Sequence, residues 1–220
     1  MMQTPSPVGR RMERHRLQRL SRASDSGQKR GQLRGSMPPR LGILLSGSGS
    51  TYANLEAAIA DRRLDAEIAV VVSSKEGAGG LDIARQHGRA TVVAADPSAV
   101  TMALRQHRAQ WVAMCGWMRF WNPPGEFIDH TVNIHPSLLP AFGGRGMYGI
   151  HVHRAVLAAG VRETGCTVHL VTGDYDSGRI LAQRRVAVLP EDTPESLQAR
   201  VQAAERELYP CTIAALLSSP

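Results

Sequence analysis

Three short stretches of this 220-residue chain carry residue types that suit chemistry on a carbonyl beside an anion. The first is Ser46-Gly47-Ser48-Gly49-Ser50-Thr51, where an apolar run gives way to a helical pattern. Small residues let the backbone N–H groups of such a turn converge, and a helix start adds partial positive charge, so the place suits a phosphate. A tight strand-to-helix turn with no ligand explains the same residues equally well. No Gly-Lys-Ser/Thr follows, and Tyr52 holds the third glycine position of the dinucleotide pattern, so nucleoside triphosphates and dinucleotides are disfavoured.

The second stretch is Val132-Asn133-Ile134-His135-Pro136-Ser137-Leu138-Leu139-Pro140. Strand alternation places Asn133 and His135 on one side. An amide donor and an imidazole together at the carboxyl end of a parallel strand can receive charge developing on a carbonyl oxygen. The two prolines restrict the loop that follows. A structural histidine is the competing explanation. The third stretch, Thr172-Gly173-Asp174-Tyr175-Asp176-Ser177-Gly178, is a polar loop between apolar strands. One of its acids is expected to pair with His135 and raise the imidazole pKa. Taken alone, Asp and Gly there describe a solvated turn equally well.

The elements that must position these residues follow from the apolar pattern. Short runs at 41–45, 68–72, 91–94, 111–115, 131–134, 167–171 and 180–188 read as strands, several bounded by Gly, Ser, Asn or Pro. Between them 52–60, 81–87, 98–108, 152–159 and 194–208 read as helices, with Asp96 or Ser98 and Thr193 as N-caps. Leu197, Val201, Ala204 and Leu208 recur at helical spacing, so one face of the last helix is core. Strands alternating with helices predict an α/β fold, an open and mostly parallel Rossmann-like sheet with helices on both faces.

Composition sets the outer bounds. With 43% hydrophobic and 20% charged residues, the chain can bury about 70% of its unfolded surface without disulfide or metal. No run approaches the roughly 20 apolar residues of a membrane-spanning helix. The three cysteines form neither an even framework nor a C-x-x-C pair, which points to a reducing cytoplasm and no structural zinc. The net charge of +7 is concentrated in residues 1–40, which hold ten Lys/Arg against Glu13 and Asp25. That segment is poor in aromatic and β-branched residues and is read as a disordered basic tail. A targeting peptide, an arm for nucleic acid or a membrane surface, and an extension upstream of a start at Met37 all fit it. Residues 41–220 are read as a single domain, with 16 Lys/Arg against 17 acids and nothing that interleaves charge with stacking platforms.

Taken together, in this order and spacing, the motifs resemble the glycinamide ribonucleotide formyltransferases of purine biosynthesis. The resemblance rests on Leu45-Ser46-Gly47-Ser48-Gly49-Ser50, Cys115-Gly116-Trp117-Met118-Arg119, Asn133 to Pro140, and Asp174-Tyr175-Asp176-Ser177-Gly178, and it covers the body from Leu41 to Tyr209-Pro210. It implies transfer of a formyl group from 10-formyltetrahydrofolate, as co-substrate and without a metal, to the amine of phosphoribosyl glycinamide. The family's catalytic Asn, His and Asp fall on Asn133, His135 and Asp176. By the same carry-over Gly49, Ser50 and Thr51 hold the substrate phosphate and Glu205 its ribose. Met118, Arg119, Phe120 and Trp121 border the pteridine together with Asn133 and the loop Thr172, Gly173, Asp174, Tyr175, while His169 stands behind the reacting groups.

The chain departs from the family pattern at Thr51, where an Asn is common, and in the long glycine-rich stretch Phe142 to Tyr148. Within that stretch Arg145 is a candidate for a phosphate, for the folate glutamate tail, or for neither. The resemblance implies small-molecule partners, no nucleic acid and no membrane, in a monomer or a homodimer. A formyltetrahydrofolate deformylase, with water as nucleophile, is the alternative reading. Pro136 after His135 and the absence of a regulatory domain in residues 1–40 place it second.

Overall fold

The structure, a computed structural model, describes residues 37–218. The basic-tail reading therefore lies, apart from residues 37–40, outside the described residues. Seven strands form one sheet: β1 (Arg40–Leu45), β2 (Glu67–Ser73), β3 (Thr91–Val93), β4 (Trp111–Met114), β5 (Thr131–His135), β6 (Glu163–Leu170) and β7 (Ile180–Ala187). Their order is β3-β2-β1-β4-β5-β6-β7. The pairs among β1 to β5 are parallel, and β6 and β7 are antiparallel. The helices are α1 (Ser50–Ala60), α2 (Gly79–Gln86), α3 (Pro97–Gln106), α4 (Ile150–Ala158) and α5 (Pro194–Leu217).

Strand alternation divides the core between the two faces of this sheet. Leu41, Ile43 and Leu45 of β1 pack with Tyr52 and Leu55 of α1 and Tyr209 of α5, whereas Leu44 packs with Val100 and Leu104 of α3. A third cluster, Val152 and Val156 of α4 with Leu197 and Val201 of α5, meets the first through Ile134 and Leu208. The α1, α4 and α5 side is thus one face and the α3 side the other. Chain order reverses between β1 and β4, so the loops leaving these two strands diverge and open a crevice at their carboxyl ends.

Two helix starts match their expected caps. Asp96 accepts from the Ser98 and Ala99 N–H groups, and Thr193 forms a capping box with Ser196. The last helix runs to Leu217, past the expected end at residue 208, with Pro210 inside it. Proline has no N–H for the carbonyl four residues back, which normally ends a helix. Here that carbonyl, of Arg206, accepts from Asn54 Nδ2 at 2.8 Å, so α1 supplies the missing donor. Strand β6 starts at Glu163, four residues before the apolar run. Its polar beginning is held by pairing along β7, from Glu163 with Ala187 onward.

Candidate active site

The turn after β1 is shaped by close backbone approach. Gly49 sits at φ 81, and a Cβ there would lie 2.4 Å from Gly80 Cα, so both the left-handed conformation and the contact with α2 require glycine. Gly80 N–H donates to the Gly47 carbonyl at 3.2 Å, tying the turn to α2. Ser46 Oγ accepts from Ser74 Oγ and from the Met118 N–H, which joins the turn to the segment leaving β4. Tyr52 belongs to the core. Its hydroxyl donates to Glu56, a buried carboxylate gripped by Nε and Nη2 of Arg89 at 2.9 Å each. Burial pushes the Glu56 carboxyl up, but these partners outweigh it and hold the group below its usual range.

Asn133 and His135 come from β5, two positions apart on the same side. The loop after His135 is pinned by neighbours that sequence patterns do not single out. Thr167 Oγ1 donates to the Ser137 carbonyl at 2.6 Å and accepts from Leu139 N–H at 3.0 Å, and Gln183 Nε2 donates to the Leu139 carbonyl at 2.9 Å. From α5, the buried Tyr209 hydroxyl shares its hydrogen between the Met114 and Val132 carbonyls, beneath the ends of β4 and β5.

Asp176 completes the group from the β6 to β7 loop, at φ 53. Its Oδ2 lies 3.4 Å from His135 Nδ1 and accepts the Gly144 N–H at 2.9 Å, and its Oδ1 lies 3.5 Å from His169 Nε2. His169 Nδ1 faces the Leu170 carbonyl at 2.8 Å, so that nitrogen is the donor, and Nε2 is within 3.2 Å of Asn133 Nδ2. Nε2 thus faces both the Asn133 amide and the Asp176 carboxylate and serves one at a time: a neutral ring accepts from the amide, and an imidazolium donates to the carboxylate. Burial pushes the Asp176 carboxyl up. The hydrogen bond to His169, the His135 charge and the Gly144 N–H together hold it below its usual value, so it is ionised.

His135 corrects one expectation. Burial pulls its imidazole below the ordinary value and outweighs the upward pull of Asp176 and the Phe142 carbonyl. A raised pKa was expected because the sequence displays the acid and not the depth of the site. Nε2 is 2.8 Å from the Phe142 carbonyl and Nδ1 faces Asp176, so both ring nitrogens meet acceptors, and the imidazolium is the form that satisfies both.

These groups form part of the wall of a cleft of about 690 Å³. Its walls include Gly49, Ser50 and Thr51 of the turn, Met118 to Trp121, Asn133, His135 and His169, and Thr172, Asp174, Tyr175 and Asp176. Met118, Arg119 and Phe120 are exposed, and Phe120 meets Tyr175 with ring centroids 5.4 Å apart. Trp121 is instead buried against Phe127, its Nε1–H donating to Thr101. Two expected residues do not line the cleft: Gly173, which lies over Asn122, and Glu205, half-buried on α5, where burial raises its carboxyl to about 7. The sequence named Trp117 within a motif and Met147 and Tyr148 within a departing stretch but assigned none of them to the site, and it gave no role to Gly149, Ile150 or His151, all of which line the cleft. The only sequence signal for the wall from Met147 to His151 was its glycine spacing beside the Asn133 to Pro140 motif. Among the described residues no cluster of three or more His, Cys, Asp or Glu side chains is arranged to hold a metal ion, and no helix is long and apolar enough to cross a membrane.

The family profile described as "Formyl transferase" matches residues 40–213. The phosphoribosylglycinamide formyltransferase, chloroplastic, of Arabidopsis thaliana is 37% identical over 184 residues, covering 77% of this chain and 62% of that protein. The trifunctional purine biosynthetic protein adenosine-3 of Bos taurus is 38% identical over 188 residues, covering 79% of this chain and 18% of that protein. The chain therefore spans less than two thirds of the length of these relatives. Among solved structures, glycinamide ribonucleotide transformylase 1 from Symbiobacterium toebii superposes with a TM-score of 0.76 at 34% identity, covering 83% of this chain and 89% of that one. Phosphoribosylglycinamide formyltransferase from Brucella melitensis has a TM-score of 0.74 at 38% identity, covering 83% and 97%. On the matched profile, these relatives and the shared mostly parallel sheet, the chain belongs to the formyl transferase family.

Proposed function

We propose that the chain transfers the formyl group of 10-formyltetrahydrofolate to the amine of phosphoribosyl glycinamide, as the names of its relatives suggest for them. The observation that carries this reading is the convergence of Asn133, His135 and Asp176 on a cleft whose walls include the glycine turn after β1. The substrate phosphate sits on the N–H groups of Gly49, Ser50 and Thr51, which places its amine over β5. The folate lies between Met118 to Trp121 and the loop carrying Thr172, Asp174 and Tyr175.

The amine lone pair attacks the formyl carbon, forming the new C–N bond and moving the carbonyl electrons onto oxygen. Asn133 Nδ2–H and the His135 imidazolium receive that oxyanion. For His135 this means turning Nε2–H from the Phe142 carbonyl to a charged and stronger acceptor. Asp176 holds the charge on His135 and is the nearest base for the proton leaving the amine. That proton passes to N10 as the C–N10 bond breaks, releasing tetrahydrofolate. A preorganised donor of this kind contributes about 2.7 to 4 kcal/mol of transition-state stabilisation.

Residues 41–220 act as one catalytic domain in this reading. Its three free thiols, Cys115 and Cys166 buried and Cys211 exposed, suit a reducing cytoplasm, with a monomer or homodimer as the working form. The test is release of tetrahydrofolate from 10-formyltetrahydrofolate with and without phosphoribosyl glycinamide. Release that requires the amine supports the proposal. Equal release without it makes water the nucleophile and overturns the proposal in favour of a deformylase.

A further inference from the structure

Two cations on the cleft wall, Arg119 and Arg145, make no hydrogen bond or ion pair among the described residues. Their chain neighbours join different cores. Arg119 lies between Trp117 and Trp121, which pack into the α3-side core. Arg145 lies between Phe142 and Met147, which pack into the α4 and α5 core on the same side as α1. The glycine turn opens directly into α1, whose core meets the α4 and α5 core through Ile134 and Leu208, so the loop that bears Arg145 is joined to the side of the sheet that carries the turn.

We propose that Arg145 is a phosphate ligand, which closes the side of the anion site opposite the glycine turn and selects a phosphorylated amine. This rests on the formyl-transfer reading above. Three observations carry it. First, neither Gly47 to Thr51 nor Gly144 to His151 contains a carboxylate, and the nearest acid on the cleft wall, Asp176, is engaged by His135, His169 and the Gly144 N–H and forms no ion pair with Arg145.

Second, Arg145 stands between Gly144 at φ 94 and Gly146 at φ 87, and a Cβ at either glycine would meet nothing within 4 Å. These glycines therefore serve the path of the chain and not close packing: two left-handed turns that present one arginine. Third, the loop is anchored to the chemistry at its base, where Gly144 N–H donates to Asp176. The arginine thus has a set position relative to the reacting groups. Backbone N–H groups on one side and a planar, always charged guanidinium on the other enclose a phosphate, whereas the folate tail would leave along the α3-side wall with Arg119.

The test is steady-state kinetics of the full chain carrying Arg145→Ala, with each substrate varied while the other saturates. A charge-assisted hydrogen bond lost from a binding site predicts a roughly ten- to hundredfold rise in KM for phosphoribosyl glycinamide. The kcat and the KM for 10-formyltetrahydrofolate are expected to change less than about threefold. Inorganic phosphate should inhibit competitively against the amine, more weakly in Arg145→Ala than in the wild type, with Arg145→Lys between. An unchanged KM for the amine overturns the proposal and leaves a solvated arginine. A rise confined to the folate KM also overturns it, by placing the guanidinium on the glutamate tail. If the wild type releases no tetrahydrofolate on addition of the amine, the formyl-transfer reading has failed. Calorimetric titration of wild type and Arg145→Ala with inorganic phosphate then decides the anion site alone: weaker binding by the variant supports it, and equal binding overturns it.

Discussion

Replacing Asp176 by Asn removes one negative charge from the cleft and leaves the shape of the side chain almost unaltered. Asn tolerates φ 53 as Asp does, and its carbonyl oxygen can still accept the Gly144 N–H, so the loop should fold. At 3.4 Å from His135 Nδ1 the lost attraction is about 5 kcal/mol at an effective dielectric of 20. Measured shifts from a single adjacent charge are smaller, about 1 to 3 pKa units, or roughly 1.4 to 4 kcal/mol. Burial already pulls the imidazole down and Asp176 opposes this, so the substitution lowers its pKa further.

Activity that needs the imidazolium is present below that pKa and lost as pH rises through it. The alkaline limb of the kcat/KM profile should therefore move to lower pH by about 1 to 3 units, with kcat/KM near neutrality down about ten- to a thousandfold. Amine-dependent release of tetrahydrofolate, followed from about pH 5 to 9, reads both effects. A variant with an unmoved alkaline limb and wild-type turnover would refute the role given to Asp176.

Gly49→Ala places a methyl 2.4 Å from Gly80 Cα at φ 81, so a loss of roughly 1 to 3 kcal/mol in stability and a higher KM for the phosphorylated amine are expected; denaturant unfolding and kinetics check both. Asn54→Ala strips the Arg206 carbonyl of its donor and should cost about 0.5 to 1.5 kcal/mol. Pro210→Ala restores a helical N–H to that carbonyl, so a double-mutant cycle should find the Asn54 effect reduced when residue 210 is Ala, and full additivity would contradict the pairing. Glu205, raised to about 7 from an ordinary 4.5, is neutral in the folded state where the unfolded chain is ionised. Its penalty is absent below about pH 4.5 and full above about pH 7. Glu205→Gln should then gain up to about 3 kcal/mol at pH 8 and almost nothing at pH 4, measured by thermal unfolding; equal effects at both pH values would show that the carboxyl is not buried as described.

Much of the arrangement is local, and such features were legible in the residues. Short apolar runs bounded by turn residues identified the seven strands, because strands covered on both faces read as continuous apolar stretches. The two-residue offset of Asn133 and His135 on a strand necessarily puts them on the same face. Asp96 and Thr193 cap their helices through bonds that span two or three residues. The motif order from the glycine turn to Asp176 was enough to indicate the family. What remained hidden depends on residues distant in the chain. Proline at 210 reads as a helix end until Asn54 on α1, 152 positions before Arg206, is seen to supply the missing donor to the Arg206 carbonyl. The loop after His135 owes its form to Thr167 and Gln183, neither of which belongs to a motif. Sequence placed an acid near His135 but could not weigh its attraction against burial, since the depth of a cleft is set by everything that surrounds it. Only the tertiary structure tied the loop that bears Arg145 to the α4 and α5 core, because the packing of Phe142 and Met147 joins residues distant in the chain.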